Sequence, residues 1–211
     1  KLLANTFKDE NREYVNYDDI PARVIEGLVA IEDTQFFEHF GVNPDAISRA
    51  VIKNIQSGGY SEGASTLTQQ LIKVLLLGRE KKIIRKVKEA LLAIRLETVL
   101  TKEEILERYL NHVYFGHGYY GVKTAAKGYF NKNLYELTLK EIAILVGLPR
   151  APSFYDPTKN LQVSLARANQ VITRMHTLGW INNEQFEESI NETPNIYNQT
   201  LTQNIAPYAI D

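Results

Sequence analysis

The sequence predicts a mostly α-helical protein. Apolar residues recur at spacings of three and four along most of the 211 residues. The recurring runs are bounded by capping residues and glycines. Alternation with period two, the mark of a half-buried strand, is almost absent. After a polar, irregular lead-in over residues 1–20, Pro21 suits a first helical turn, and Val24, Ile25, Leu28 and Val29 carry the apolar stripe as far as Glu32. Asn43 caps and Pro44 opens a second helix through Ile47, Ala50, Val51 and Ile55, which stops at Ser57-Gly58-Gly59. The stretch SGGYSEGAS, 57–65, reads as a flexible loop. Thr66 with Gln69 forms a capping box for TLTQQLIKVLLL, and Gly78 closes that helix. A long helix follows from about Lys81 to Leu100, then one capped by Thr101 with Glu104, and another capped by Thr138 with Glu141 that ends before Pro149. Further helices fit 160–178 and 183–191.

With 44% hydrophobic residues the chain can bury a sizeable core, as one domain or as a main lobe with a smaller one. It has no cysteine, which excludes disulfides, thiolate metal sites and a cysteine nucleophile. A net charge of -1 gives no global argument for nucleic acid. Its distribution is uneven, however: the stretch from Lys73 to Lys88 balances to +6 and leaves -7 for the remainder. Such a run serves either an anionic partner or a solvated helix face. No apolar run approaches the roughly 18 to 20 residues of a membrane span. The start at Lys1 and the extended-looking close over 200–211 suggest an excised domain, with an anchor upstream and a linker to a further domain downstream.

Two acids invite chemistry. Glu32 continues the stripe that α-helical packing should bury, and a carboxylate on an apolar face is either paired or desolvated. Glu89 lies one turn after Arg85 in the basic helix. A desolvated carboxylate can take a proton from a sugar hydroxyl, and one held among cations stays ionised, which is what glycosyl chemistry at neutral pH requires. The plainer alternatives are a helix cap at Glu32 and an ordinary i,i+4 pair between Arg85 and Glu89.

EGASTLTQQLIK, 62–73, runs a glycine-containing loop into a capped helix, whose free N–H groups suit a phosphate. Lys73, Lys81 and Arg85 add charge, and the missing GK[ST] ending disfavours triphosphate cleavage. In ILERYLNHVYFGHGYYGV, 105–122, aromatic faces with Asn111 and Tyr114 suit a flat, hydroxyl-rich ligand, although core packing explains Tyr109 and Phe115 equally well. The four histidines show no paired zinc-ligand spacing.

Taken in order, EDTQFFEHFG (32–41), GASTLTQQLIK (63–73), RKVKE (85–89) and ILERYLNHVYFG (105–116) resemble the successive signature motifs of glycosyltransferase family 51, the peptidoglycan glycosyltransferases. The likeness runs from about Val15 past Pro157. Two positions depart from the family's usual pattern: Ala64 replaces a second glycine before Ser-Thr, and Lys81 stands where arginine is common. The resemblance implies a lysozyme-like helical lobe with a smaller, flexible, membrane-proximal lobe, the two making up one domain over 1–211.

It also implies polymerisation of lipid II with inversion and release of undecaprenyl pyrophosphate, on the extracytoplasmic face of the bacterial inner membrane. By motif position Glu32 is the general base and Glu89 organises the leaving group, alone or with a divalent cation such as magnesium or manganese. Lys73, Lys81 and Arg85 neutralise the pyrophosphate. Ser65, Thr66, Gln69 and Gln70 line the donor side, with Arg49 as a further candidate, while Asp33, Phe36, His39 and Gly41 shape the turn that aims Glu32. Other cell-wall synthesis proteins are the expected partners, and nucleic acid is not. The SxxK, SxN and KTG set of a transpeptidase is not in the sequence, so the bifunctional penicillin-binding parent that the closing APYAID suggests would carry it elsewhere. A peptidoglycan-cleaving hydrolase or lytic transglycosylase and a non-catalytic lipid-binding scaffold are the rival readings. The cation run speaks against cleavage, which releases a sugar hydroxyl and no pyrophosphate.

Overall fold

The computed structural model describes residues 13–58, 63–76 and 82–197. Gly78, Lys81, the middle of the 57–65 loop and the closing segment from 200, all subjects of expectations above, lie outside the described residues. The helices are α1 (Ala22–Glu32), α2 (Pro44–Ser57), α3 (Leu67–Leu76), α4 (Lys82–Val99), α5 (Lys102–His112), α6 (Val122–Phe130), α7 (Leu139–Gly147), α8 (Leu161–Thr177) and α9 (Asn183–Asn191). Among the described residues no strand forms, and Tyr114 and Tyr120 make an isolated antiparallel bridge.

The predicted punctuation is realised. Asn43 accepts from the Ala46 N–H at 3.1 Å, and Gly58 ends α2 in the left-handed region at φ 66°. Thr138 and Glu141 complete a reciprocal box at the head of α7. These signals are legible because each is closed by residues within one turn of each other.

The chain divides into two compact units, one of residues 32–109 and one of the chain on either side. In the second unit α7 is buried throughout from Lys140 to Gly147 and packs on α8, with α6 and α9 also against it. Here Asn111 clasps the lead-in: its Oδ1 accepts from the Val15 N–H and its Nδ2 donates to the Val15 carbonyl, both at 2.8 Å. Within the hairpin around Gly116 and Gly118, the Tyr129 hydroxyl donates to the Phe115 carbonyl at 2.8 Å.

In the 32–109 unit α3 packs on α4, and Leu67, Leu71 and Ile72 of α3 and Ala93 of α4 are buried. Gly41 makes the approach of the preceding turn possible: at φ 107° a Cβ there would sit 2.6 Å from the Ala93 carbonyl oxygen. The apolar stripe of α2 departs from expectation. Only Ala50 of that helix is buried, and Ile47, Val51 and Ile55 face solvent. On α4, Ile83, Ile84 and Val87 are exposed in the same way.

Candidate active site

The turn that leaves α1 is held by its own side chains. One oxygen of Asp33, Oδ2, accepts from His39 Nε2 at 2.7 Å and from the Leu67 N–H at 3.0 Å. His39 Nδ1 in turn accepts from the Gly41 N–H at 3.0 Å, which fixes the neutral tautomer with its proton on Nε2. Asp33 thereby satisfies one of the free N–H groups at the start of α3, where the helix dipole favours a negative charge. Thr66 and Gln69 satisfy others. The Thr66 N–H donates to Gln69 Oε1 at 2.9 Å, the Gln69 N–H to Thr66 Oγ1 at 3.1 Å, and the Thr66 hydroxyl to the Gly41 carbonyl at 2.7 Å.

A second layer locks the turn from the far side. Lys102 Nζ donates to the His39 carbonyl at 2.6 Å and to Glu97 Oε1 at 2.8 Å, and lies 4.6 Å from the centroid of the buried Phe36 ring. Glu97 also accepts from the Thr68 hydroxyl at 2.8 Å.

Glu32, half-buried at the last position of α1, stands at the edge of this braced turn. Its Oε2 accepts from Gln70 Nε2 at 3.3 Å, and Gln70 Oε1 accepts from the Tyr109 hydroxyl at 3.1 Å. Burial, and secondarily the charge of Glu32, push the Tyr109 hydroxyl well above its ordinary value, so that it remains a donor.

Glu89 is 3% exposed and its Oε1 lies 2.7 Å from Lys86 Nζ. Lys86 also donates to the Ser65 hydroxyl, in the segment leading into α3. Both acids are therefore tied to the beginning of one helix, Glu32 through Gln70 and Glu89 through Lys86 and Ser65. Glu89 pairs with Lys86, three residues before it, where the sequence suggested Arg85 at four. Arg85 is half-buried on α4, Lys73 is exposed in the last turn of α3, and Arg49 is exposed on α2.

The residues proposed to line a donor sugar divide into two kinds. Thr66 and Gln69, 1% and 4% exposed, are engaged in the cap of α3, whereas Ser65 and Gln70 are half-buried and bonded to Lys86 and Glu32. Asn111 and Tyr114 belong to the other unit. The Asn111 amide holds Val15, so its rim-binding role gives way to a clasp. The Tyr114 hydroxyl accepts from the Gly118 N–H at 3.2 Å and its ring packs on Tyr120, which makes it a brace of the hairpin. Sequence reasoning passed over Glu97 and Lys102 as parts of the site, and for the pairing of Lys86 with Glu89 the i,i+3 spacing was the available signal.

Among the described residues no three histidines or carboxylates come together to hold a metal, and one Glu89 oxygen is engaged by an ammonium group. The positive charge beside Glu89 comes from Lys86.

A family model described as Transglycosylase matches residues 1–176. The chain is 47% identical over 190 residues to penicillin-binding protein 1A of Aquifex aeolicus (strain VF5), covering 90% of this chain and 26% of that protein. It is 44% identical over 195 residues to penicillin-binding protein 1A of Escherichia coli (strain K12), covering 92% of this chain and 23% of that one. The crystal structure of penicillin-binding protein 1A from Haemophilus influenzae superposes with a TM-score of 0.56 at 26% identity, over 93% of this chain and 21% of that one. The chain thus spans about a quarter of the length of these relatives.

Proposed function

Since the chain belongs to glycosyltransferase family 51, the peptidoglycan transglycosylases, we propose that it polymerises lipid II, with Glu32 as the base and Glu89 with Lys86 at the leaving-group end. The half-buried Glu32 carboxylate takes the proton of the acceptor sugar's 4-hydroxyl. The freed oxygen attacks the anomeric carbon of the donor from the face opposite its pyrophosphate. The carbon–oxygen bond to that pyrophosphate breaks, the electron pair leaves with it, and the configuration inverts. Positive charge must be in place as the leaving group departs; Lys86, held by Glu89 and Ser65, supplies it at the segment leading into α3, while Lys73, Lys81 and Arg85 are the further candidates that the motifs offer. Arg49 is the outlying candidate for the same anion.

The single observation that carries this reading is the attachment of both acids to the start of α3, one through a neutral amide and one through an ammonium group. A base needs a neighbour that leaves its lone pairs available, and a pyrophosphate site needs fixed cations. A glycan-cleaving enzyme has no use for the second arrangement.

A membrane surface is the proposed place of work, on the extracytoplasmic side. No described helix is long and apolar enough to cross a bilayer. The exposed isoleucines and valines of α2 and α4 instead suit contact with acyl chains, in the unit that also carries Glu32 and Glu89.

Incubation of the purified protein with labelled lipid II tests the function. Glycan chains that lengthen with time, with undecaprenyl pyrophosphate released in step, are the expected product. Shortening of preformed glycan, or binding without product, would overturn it.

A further inference from the structure

The sequence left Tyr109 open between a ligand wall and core packing, and by exposure it is core: 1% of its surface reaches solvent. Its hydroxyl, however, is a costly choice for such a place. Phenylalanine fills the same volume without burying a polar group, and a buried hydroxyl is unfavourable unless bonded. The bond that the hydroxyl makes is to the side chain of Gln70, and the other end of the same amide faces Glu32.

An amide of this kind has two orientations. With Nε2 toward Glu32, it donates to the carboxylate; turned over, it places its carbonyl oxygen against the carboxylate oxygens. A hydroxyl at the far end that donates to Oε1 favours the first orientation and disfavours the second. Tyr109 sits late in α5, Gln70 early in α3 and Glu32 at the end of α1, so three helices contribute one residue each to the line. The phenol keeps its proton across the working range because burial and the neighbouring carboxylate both oppose its ionisation. Its donor role is therefore constant.

We propose that Tyr109 is a positioning residue for the transfer reaction, acting through Gln70 to hold the Glu32 carboxylate in the orientation that receives the acceptor proton. The proposal rests on the general-base reading of Glu32. Tyr109 does not touch substrate, and its effect falls on the rate of the bound complex rather than on its formation.

The test compares Tyr109→Phe, Gln70→Met and the double variant with the unaltered protein in steady-state lipid II polymerisation, alongside their denaturation midpoints. Tyr109→Phe is expected to lower kcat by roughly five- to tenfold, the worth of about one hydrogen bond, with KM essentially unchanged. Gln70→Met, which severs the line from the α3 side, is expected to lower kcat at least as much. The double variant is expected to be no slower than Gln70→Met alone, since a hydroxyl acting through Gln70 has nothing left to act on. An unchanged kcat in Tyr109→Phe, a loss confined to KM, or fully multiplicative losses in the double variant would overturn the proposal. If Tyr109→Phe does not fold, Gln70→Met decides: a kcat loss supports the line, and an unaltered kcat ends it. Glu32→Gln separates the two claims. Its retention of activity would remove the base reading and this proposal with it, whereas its inactivity beside a fully active Tyr109→Phe would remove this proposal alone.

Discussion

His39 Nε2 lies 2.7 Å from Asp33 Oδ2, with 4% and 3% of the two side chains exposed. The same oxygen of Asp33 accepts the Leu67 N–H, so the turn after α1 and the beginning of α3 are fastened at one atom. Glu32 and Gln70 are each within a few residues of that atom along the chain. The pair therefore sets the relation between the proposed base and the helix that carries its amide partner.

Replacing His39 by leucine removes the donor to Asp33 and the acceptor for the Gly41 N–H together. It leaves a buried carboxylate with the Leu67 N–H as its remaining partner here. The expected loss is about 3 kcal/mol of unfolding free energy, with polymerisation reduced even in the folded fraction. Denaturant titration followed by assay at low denaturant checks both. An unchanged midpoint would show that the pair is not holding the turn.

Lys86→Met removes the ammonium group beside Glu89 and keeps the unbranched stem up to the position of Cε. Lys86 is about half exposed, so the stability cost is modest, on the order of 1 kcal/mol. The rate cost is larger: a fixed charge at a departing pyrophosphate is worth about tenfold or more in turnover. The corresponding Arg85→Met variant should keep Glu89 paired. Turnover by Lys86→Met equal to that of the unaltered protein would remove Lys86 from the leaving-group end.

Burial first, and the charge of Asp156 second, push the Tyr129 hydroxyl far above its ordinary 10.0. A raised folded value means that the folded state keeps its proton at a pH where the unfolded chain has lost it. The contribution is thus complete below pH 10.0 and is lost as pH rises beyond it. Unfolding titrations at about pH 8 and about pH 11 should show stability falling, with a slope of up to about 1.4 kcal/mol per pH unit from this residue. Tyr129→Phe should flatten that slope while costing about 1 kcal/mol at neutral pH through the orphaned Phe115 carbonyl. A slope identical in the two proteins would contradict the assignment.

The helices were legible in the sequence because their signals are local. Asn43 with Ala46 and Thr66 with Gln69 act across three residues, and period and punctuation agree. The turn of Asp33, His39 and Gly41 was legible only through the motif, since nothing local predicts that one carboxylate oxygen joins a histidine to a helix 34 residues on. Asn111 shows the same limit: its partner Val15 is 96 residues away, and a polar residue among aromatics looks like a ligand contact until that partner is seen. Helical spacing allowed both Arg85 and Lys86 to reach Glu89, and only side-chain geometry chose between them. The stripe of α2 misled in another way, because apolar periodicity marks an apolar face without saying what covers it.

The most direct test of the account is the polymerisation rate of Glu32→Gln, measured on protein whose unfolding midpoint matches that of the unaltered chain. Glutamine keeps the shape and the bond to Gln70 but cannot take the acceptor proton. The account predicts a rate lower by about 10² to 10⁴. A rate near that of the unaltered protein would contradict it.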